Sequence, residues 1–270
     1  MKRTLALVLL ILAAIATGCA SSRESLERSA LFHPSRDMSV TPQMAGLEAE
    51  DVYITSGGAK IHGWFFPGGP DSMNVVYLHG NGGNISNLLG MIRFLQPLKL
   101  NFLAIDYRGY GLSEGAPSLD GIVEDTVAAV DWMVARRDAR PGRVVLWGHS
   151  LGAAAALGAA QMRPGLGGVI IEAGFVSLKK IAAHHFPFIP SSMVSSKLDN
   201  LEVVKTLALP KLVIHGRKDE VIPFEHGVSL HAQACKPREF YPIDTAGHND
   251  IYLKGNQEYL ERLRAWLASL

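Results

Sequence analysis

Apolar and polar positions change rhythm twice along this chain. Leu5 to Ala16 is an uncharged apolar run, residues 21–44 are polar without clear period, and from residue 51 short apolar runs alternate with helical segments. Asp51–Thr55 and Ile61–Phe66 are β-rich and separated by Gly57-Gly58, which predicts an antiparallel hairpin. Val75–Leu78, Phe102–Ile105, Val144–Trp147, Val169–Ile171, Leu212–Ile214 and Glu239–Tyr241 follow, most of them apolar throughout. Continuous apolar strands between helices predict a mostly parallel sheet covered on both faces, an α/β architecture. Ile122, Val123, Thr126, Val127, Val130 and Met133 recur at helical spacing behind a cap at Ser118 or Asp120, and Tyr252–Leu270 reads as a closing amphipathic helix. Residues 176–209 break the alternation with Phe186-Pro-Phe-Ile-Pro190 and several serines, and are read as a cap inserted over the sheet's C-terminal edge.

The first apolar run changes the picture of the N-terminus. Lys2 and Arg3 precede it and Ala16-Thr17-Gly18-Cys19 ends it, so residues 1–18 read as an export signal outside the fold. The ending resembles the lipobox of bacterial lipoproteins, although Ala16 stands where leucine is usual. An uncut anchor or an ordinary secretory signal is the rival reading. Twelve apolar residues are short for a spanning helix, which takes about 20. With Cys19 acylated, residues 19–50 become a lipidated tether, 51–270 the folded domain, and the expected location is the cell envelope, on a membrane without crossing it. Ala20 after Cys19 leans toward export from the inner membrane.

Removing Lys2 and Arg3 takes the formal charge from +1 to −1, and no basic stripe suggests a nucleic-acid partner. Cys235 is the only other cysteine, which leaves no disulfide framework. About 250 residues suffice for one large domain with a single core.

Three residues then stand out at strand ends. Gly148-His149-Ser150-Leu151-Gly152 joins the strand ending at Trp147 to an alanine-rich helix, Leu151–Met162, the strand-turn-helix setting in which a serine is held exposed on a strained turn. A serine hydroxyl needs a base, and the base needs a carboxylate to fix its tautomer. Asp219 follows the strand Leu212–Ile214 and His248 follows Glu239–Tyr241, on the same edge as Ser150. Glu220, Asp250 and Glu172 are the rival acids. His79, His149 and His215 read as structural, and His184-His185 lacks metal-ligand partners at a recognisable spacing, so neither metal nor organic cofactor is expected. His79-Gly80-Asn81-Gly82-Gly83-Asn84 follows another strand and could aim a backbone N–H, that of Asn81, at an oxyanion, with the N–H of Leu151 as second donor. It lacks the G-K-[ST] ending of a phosphate loop.

These segments, with Asp106-Tyr-Arg-Gly-Tyr-Gly-Leu-Ser113, occur in an order that resembles the α/β-hydrolase group including protein depalmitoylases and lysophospholipid hydrolases, over roughly residues 52–270. The resemblance implies an eight-stranded sheet and cleavage of an ester or thioester bond. Asp106-Tyr-Arg-Gly-Tyr-Gly reads as structural. With the lipid anchor and the apolar stretch Phe186–Ile189, the expected substrate is a small acyl ester or lipid-like molecule. A peptidase or other acyl transfer on the same triad, and a non-catalytic envelope-binding lipoprotein, are the competing functions. A neutral histidine base predicts activity falling below about pH 6–7.

Overall fold

The computed structural model describes residues 20–136 and 140–270. The expected signal and Cys19 lie outside the described residues. Eight strands form one sheet: β1 (Glu50–Ser56), β2 (Ala59–Phe66), β3 (Asn74–Leu78), β4 (Asn101–Ile105), β5 (Val144–His149), β6 (Gly168–Glu172), β7 (Lys211–Gly216) and β8 (Arg238–Ile243). Their order across the sheet is β1-β2-β4-β3-β5-β6-β7-β8. β2 runs antiparallel to both β1 and β4, and every other neighbouring pair is parallel. The helices are α1 (Ala20–Leu31), α2 (Leu89–Leu95), α3 (Leu119–Val134), α4 (Leu151–Met162), α5 (Leu178–His185), α6 (Asn200–Thr206), α7 (Phe224–Gln233) and α8 (Ile251–Ala268). This is the α/β-hydrolase fold.

The continuous apolar strands feed two cores by their period of two. Val76 and Leu78, Leu103 and Ile105, Leu146, Val169 and Ile171 face α3, α4, α6 and α7. Val75 and Tyr77, Phe102, Val145, Trp147 and Ile170 face α2 and α8. A strand buried on both faces gains about 1.5–3 kcal/mol per large side chain, which is why these runs tolerate no alternation with polar residues. The alanine and glycine content of α4 has a packing cause: a Cβ at Gly158 would come within 2.9 Å of Val123 on α3. Ser118 caps α3, its hydroxyl accepting from the Gly121 amide.

Two readings of the sequence need correction. The residues after α1 are not a free tether. Phe32 is buried in the core, His33 and Pro34 pair in parallel with Gly82 and Gly83, and Arg36 donates to the carbonyls of Gly111 and Ser113. The His33 and Pro34 pairing runs through the backbone, and Phe32 and Arg36 stand singly in a polar, aperiodic stretch, so the composition gave no sign of them. The closing helix is also interrupted, at Asn256 (φ 47°, ψ −134°), a positive-φ conformation close to that of Ser150 and outside the αL region that asparagine tolerates.

The inserted segment holds α5, a short 3-10 turn at Ser191–Met193 and α6. It is tied down at both ends. The Val176 amide donates to His226 Nδ1 at 3.0 Å and Asn200 Nδ2 to the Phe175 carbonyl at 2.8 Å. In between, His185 Nε2 reaches the Val221 carbonyl at 2.7 Å.

Candidate active site

The C-terminal ends of five strands meet at one edge of the sheet. Ser150 follows β5 with φ 56° and ψ −117°, a backbone conformation that a β-substituted residue adopts only when its surroundings enforce it. The enforcement comes from its two glycines. A Cβ at Gly148 would lie 2.1 Å from the Gly152 carbonyl oxygen, and one at Gly152 would lie 1.9 Å from that of Leu78. The turn is therefore tight enough to bring α4 directly over β3 and β5. The Ser150 amide donates to the Glu172 carbonyl at 2.8 Å, so β6 also holds the turn.

Asp219, in the loop after β7, accepts from His248 Nδ1 through Oδ2 at 2.8 Å. Its Oδ1 accepts from the amides of Val221 and Ile222 at 2.9 and 2.7 Å, and His215 Nε2 lies 3.3 Å from Oδ2. Burial alone would push this carboxyl up, but the hydrogen bonds from His215 and His248, the His248 charge and the Ile222 amide together hold it well below the usual carboxylate range. It is an anion at any physiological pH. The rival acids are engaged elsewhere: Glu172 accepts from His149 Nδ1 at 3.1 Å and from the Tyr259 hydroxyl at 2.5 Å, Asp250 caps the Gly247 amide, and Glu220 is exposed.

The His248 imidazole sits below its ordinary pKa, because burial disfavours the cation more than the Asp219 hydrogen bond supports it, with His149 and His215 adding repulsion. Its ring centroid is 4.9 Å from that of His149, the residue preceding Ser150. Among the described residues no hydrogen bond joins Ser150 Oγ to His248, a looseness common in hydrolases without substrate.

The loop after β3 completes the edge. A Cβ on Gly80 would stand 3.5 Å from Ser150 Cβ and 3.6 Å from His149 Cδ2, so the Gly80-Asn81 backbone passes directly beside the serine. Leu151 opens α4, where first-turn amides lack intrahelical acceptors and the helix dipole favours negative charge. The structure thus collects Ser150, Asp219, His248, Asn81 and Leu151 at one place. Sequence reasoning missed the network behind them. Tyr107 and Tyr110 donate to the carbonyls of His79 and Asn81 at 3.0 and 2.8 Å. The pairing of their motif with the Gly80-Asn81 loop has no periodic signature; only the aromatic content of a strand-end loop hinted at it.

The structural reading of the Asp106–Gly111 segment fits Asp106, which meets a loop amide, whereas the Arg108 guanidinium bonds side chains and, among the described residues, no loop carbonyl. Asp106 Oδ1 accepts from the Ile85 amide, and Arg108 pairs with the buried Asp125 and with Glu124. Two clefts of about 520 and 540 Å³ lie at the opposite edge of the sheet, around Met73, Leu100 and Phe102, and none of the five site residues lines them. Among the described residues no group of three or more His, Cys, Asp or Glu could hold a metal ion.

A strained serine at a strand-helix elbow, beside a buried Asp-His pair on the C-terminal edge of a mostly parallel sheet, defines the α/β-hydrolase class. The chain belongs to that family: the family described as Serine aminopeptidase, S33, matches residues 69–208. A protein of Mycobacterium tuberculosis is 32% identical over 272 residues, covering 99% of this chain and 96% of its own length. The alpha/beta hydrolase domain-containing protein 17B of Xenopus laevis is 31% identical over 216 residues, covering 79% of this chain and 73% of the relative. Among solved structures, an esterase of Pyrococcus furiosus superposes with TM-score 0.74 at 23% identity, over 88% of this chain and 98% of that one.

Proposed function

We propose that this chain is a serine hydrolase that cleaves carboxylic ester or thioester bonds of acyl substrates, held at a membrane of the cell envelope through Cys19. The observation that carries the chemistry is the Asp219–His248 hydrogen bond of 2.8 Å beside the strained Ser150 elbow. His248 takes the Ser150 proton as Oγ attacks the acyl carbonyl. The amides of Asn81 and Leu151 receive the developing oxyanion, and His248 then gives its proton to the leaving alcohol or thiol. Water, activated by the same imidazole, releases the acyl group and restores Ser150. Asp219, anionic throughout, keeps the hydrogen on Nδ1 so that Nε2 faces the serine.

An apolar acyl chain is favoured as substrate by the cap. Phe186 and Phe188 are 37% and 59% exposed there, and Val221, joined to the cap through His185, is 42% exposed beside Asp219. The Pyrococcus neighbour, an esterase, supports the same bond type. A peptide bond is the second reading, favoured by the aminopeptidase description of the matching family.

The test is hydrolysis of p-nitrophenyl acyl esters from short to long chains, beside an aminoacyl p-nitroanilide, by wild type and Ser150→Ala. Turnover of the longer esters that disappears in the variant supports the proposal. Turnover of the anilide alone favours the peptide reading, and turnover unchanged in Ser150→Ala rules out the serine mechanism.

The pH profile should differ from that of an ordinary histidine. The base works only when neutral, and its lowered pKa keeps it neutral further into acid. The acid limb of kcat/KM should therefore lie at lower pH than the ordinary imidazole value of about 6.5. A limb at or above pH 6.5 would contradict the burial of His248 as its dominant influence.

A further inference from the structure

The carbonyl groups of His79, Gly80 and Asn81 are each held by a different donor, and one of those donors lies in the N-terminal segment. His79 O accepts from the Tyr107 hydroxyl at 3.0 Å, and Gly80 O from His79 Nδ1 at 2.7 Å. Asn81 O accepts twice, from the Tyr110 hydroxyl and from the His33 amide, both at 2.8 Å. In a trans peptide the carbonyl and the N–H point in opposite directions. Fixing Gly80 O therefore aims the Asn81 N–H, and fixing Asn81 O clamps the next peptide plane. The carbonyls of His79, Gly80 and Asn81 thus orient this part of the loop and, among the described residues, leave the Asn81 N–H free for a ligand.

The clamp from the N-terminal side is extended. The Ser35 amide donates to Gly83 O at 2.9 Å, and Ser35 O accepts from the Gly111 amide at 2.9 Å. Asn84 Nδ2 donates to the carbonyls of Ser35 and Asp37 at 3.1 and 2.7 Å. Residues 33–37 thus lie between the loop after β3 and the Tyr107–Ser113 loop and bond to both, with buried Phe32 as the peg that seats them. Burial pushes the Tyr107 and Tyr110 hydroxyls well above their ordinary pKa, so both remain donors at any working pH.

We propose that residues Phe32–Asp37 and the hydroxyl of Tyr110 are positioning elements of the active site, which steady the Asn81 amide for the oxyanion by clamping, through the Asn81 carbonyl, the peptide plane next to it. The inference rests on the serine-hydrolase reading. On this account the segment that follows the expected membrane anchor is part of the catalytic apparatus. Detaching it disables the site while Ser150, His248 and Asp219 stay in place.

The test uses full-length protein, the preferred p-nitrophenyl ester and a trifluoromethyl ketone, whose adduct with serine carries an oxyanion. His33→Pro deletes the amide, and Tyr110→Phe deletes the hydroxyl while leaving the ring in the core. Removing an oxyanion donor outright costs about 10²–10³ in rate; loosening one should lower kcat by about 10-fold in each variant and about 100-fold in the double variant. KM should stay within twofold, and affinity for the ketone should fall in parallel with kcat. His33→Ala, which keeps the amide, should lose far less than His33→Pro.

If the proline prevents folding, Tyr110→Phe alone decides, because its deleted atom touches only the loop and the His33 backbone. Tyr110→Phe with wild-type kcat and ketone affinity overturns the inference. A Ser150→Ala rate equal to wild type would overturn the hydrolase reading itself, which distinguishes the two failures.

Discussion

His248→Ala should lower kcat for ester hydrolysis by about 10⁶, and Asp219→Asn by about 10⁴. The first variant removes the imidazole that Asp219 orients beside Ser150; the neighbouring His149, His79 and His215 have ring nitrogens committed to Glu172, the Gly80 carbonyl and the Ile222 carbonyl. The second keeps the size of the side chain but replaces an acceptor with an amide that offers N–H to His248 Nδ1. That reverses the tautomer and leaves the hydrogen on Nε2, where a lone pair is required. Because the Val221 and Ile222 amides then bond to a neutral oxygen in place of a carboxylate, Asp219→Asn costs stability as well as activity. The sign is set by the depressed carboxyl: its stabilisation is complete above the unfolded pKa near 3.9 and is lost as the pH falls below it. Steady-state kinetics alongside urea titrations at pH 7 and pH 3 checks both. The stability gap between wild type and Asp219→Asn should narrow from pH 7 to pH 3 without closing, because the folded carboxyl is held far below its unfolded pKa.

Gly152→Ala should be the most damaging single-methyl change in the molecule, with a loss of more than about 4 kcal/mol or failure to fold. The added carbon would meet the Leu78 carbonyl oxygen at 1.9 Å and that of His79 at 2.7 Å. Both are backbone atoms at the end of a central strand, so no rotamer change relieves the clash, and β3 must separate from α4. Gly165 is the useful contrast. It has φ +85° with nothing within 4 Å of the added carbon, so alanine there incurs only backbone strain, about 1–2 kcal/mol. Urea denaturation of the two variants should separate the steric term from the conformational one. Equal losses would mean that α4 is less tightly seated on the sheet than these distances require.

How much of this was legible in the sequence differs by the kind of signal. The central strands appear as apolar runs because strands buried on both faces write their burial into consecutive residues, as Val75–Leu78 and Val144–Trp147 do, while the outer Glu50–Ser56 and Arg238–Ile243 are buried on one side only and were read from β-rich segments. Glycine spacing around Ser150 was legible because the turn admits no side chain at 148 or 152. The juxtaposition of Asp219 with His248 followed from strand ends sharing one edge. His33, Ser35 and Asn84 were not legible, because they act through amides, carbonyls and a side-chain amide across nearly fifty residues of chain. Such bonds require no residue type at one end, and so leave no pattern. The break at Asn256 was hidden for a related reason: the amphipathic period resumes after it, and one positive-φ residue does not disturb the count. The expected anchor at Cys19 lies outside the described residues, and the membrane assignment stands on the N-terminal sequence.

The central claim is that Ser150 is an activated nucleophile. The direct measurement is to treat the protein with a fluorophosphonate ester, which phosphonylates activated serines, and to locate the adduct by peptide mass spectrometry while following esterase activity. One adduct is expected, on the peptide containing Ser150, forming at the rate at which activity is lost and absent in Ser150→Ala. Activity that survives full exposure to the probe, or loss of activity with the adduct on another residue, would contradict it.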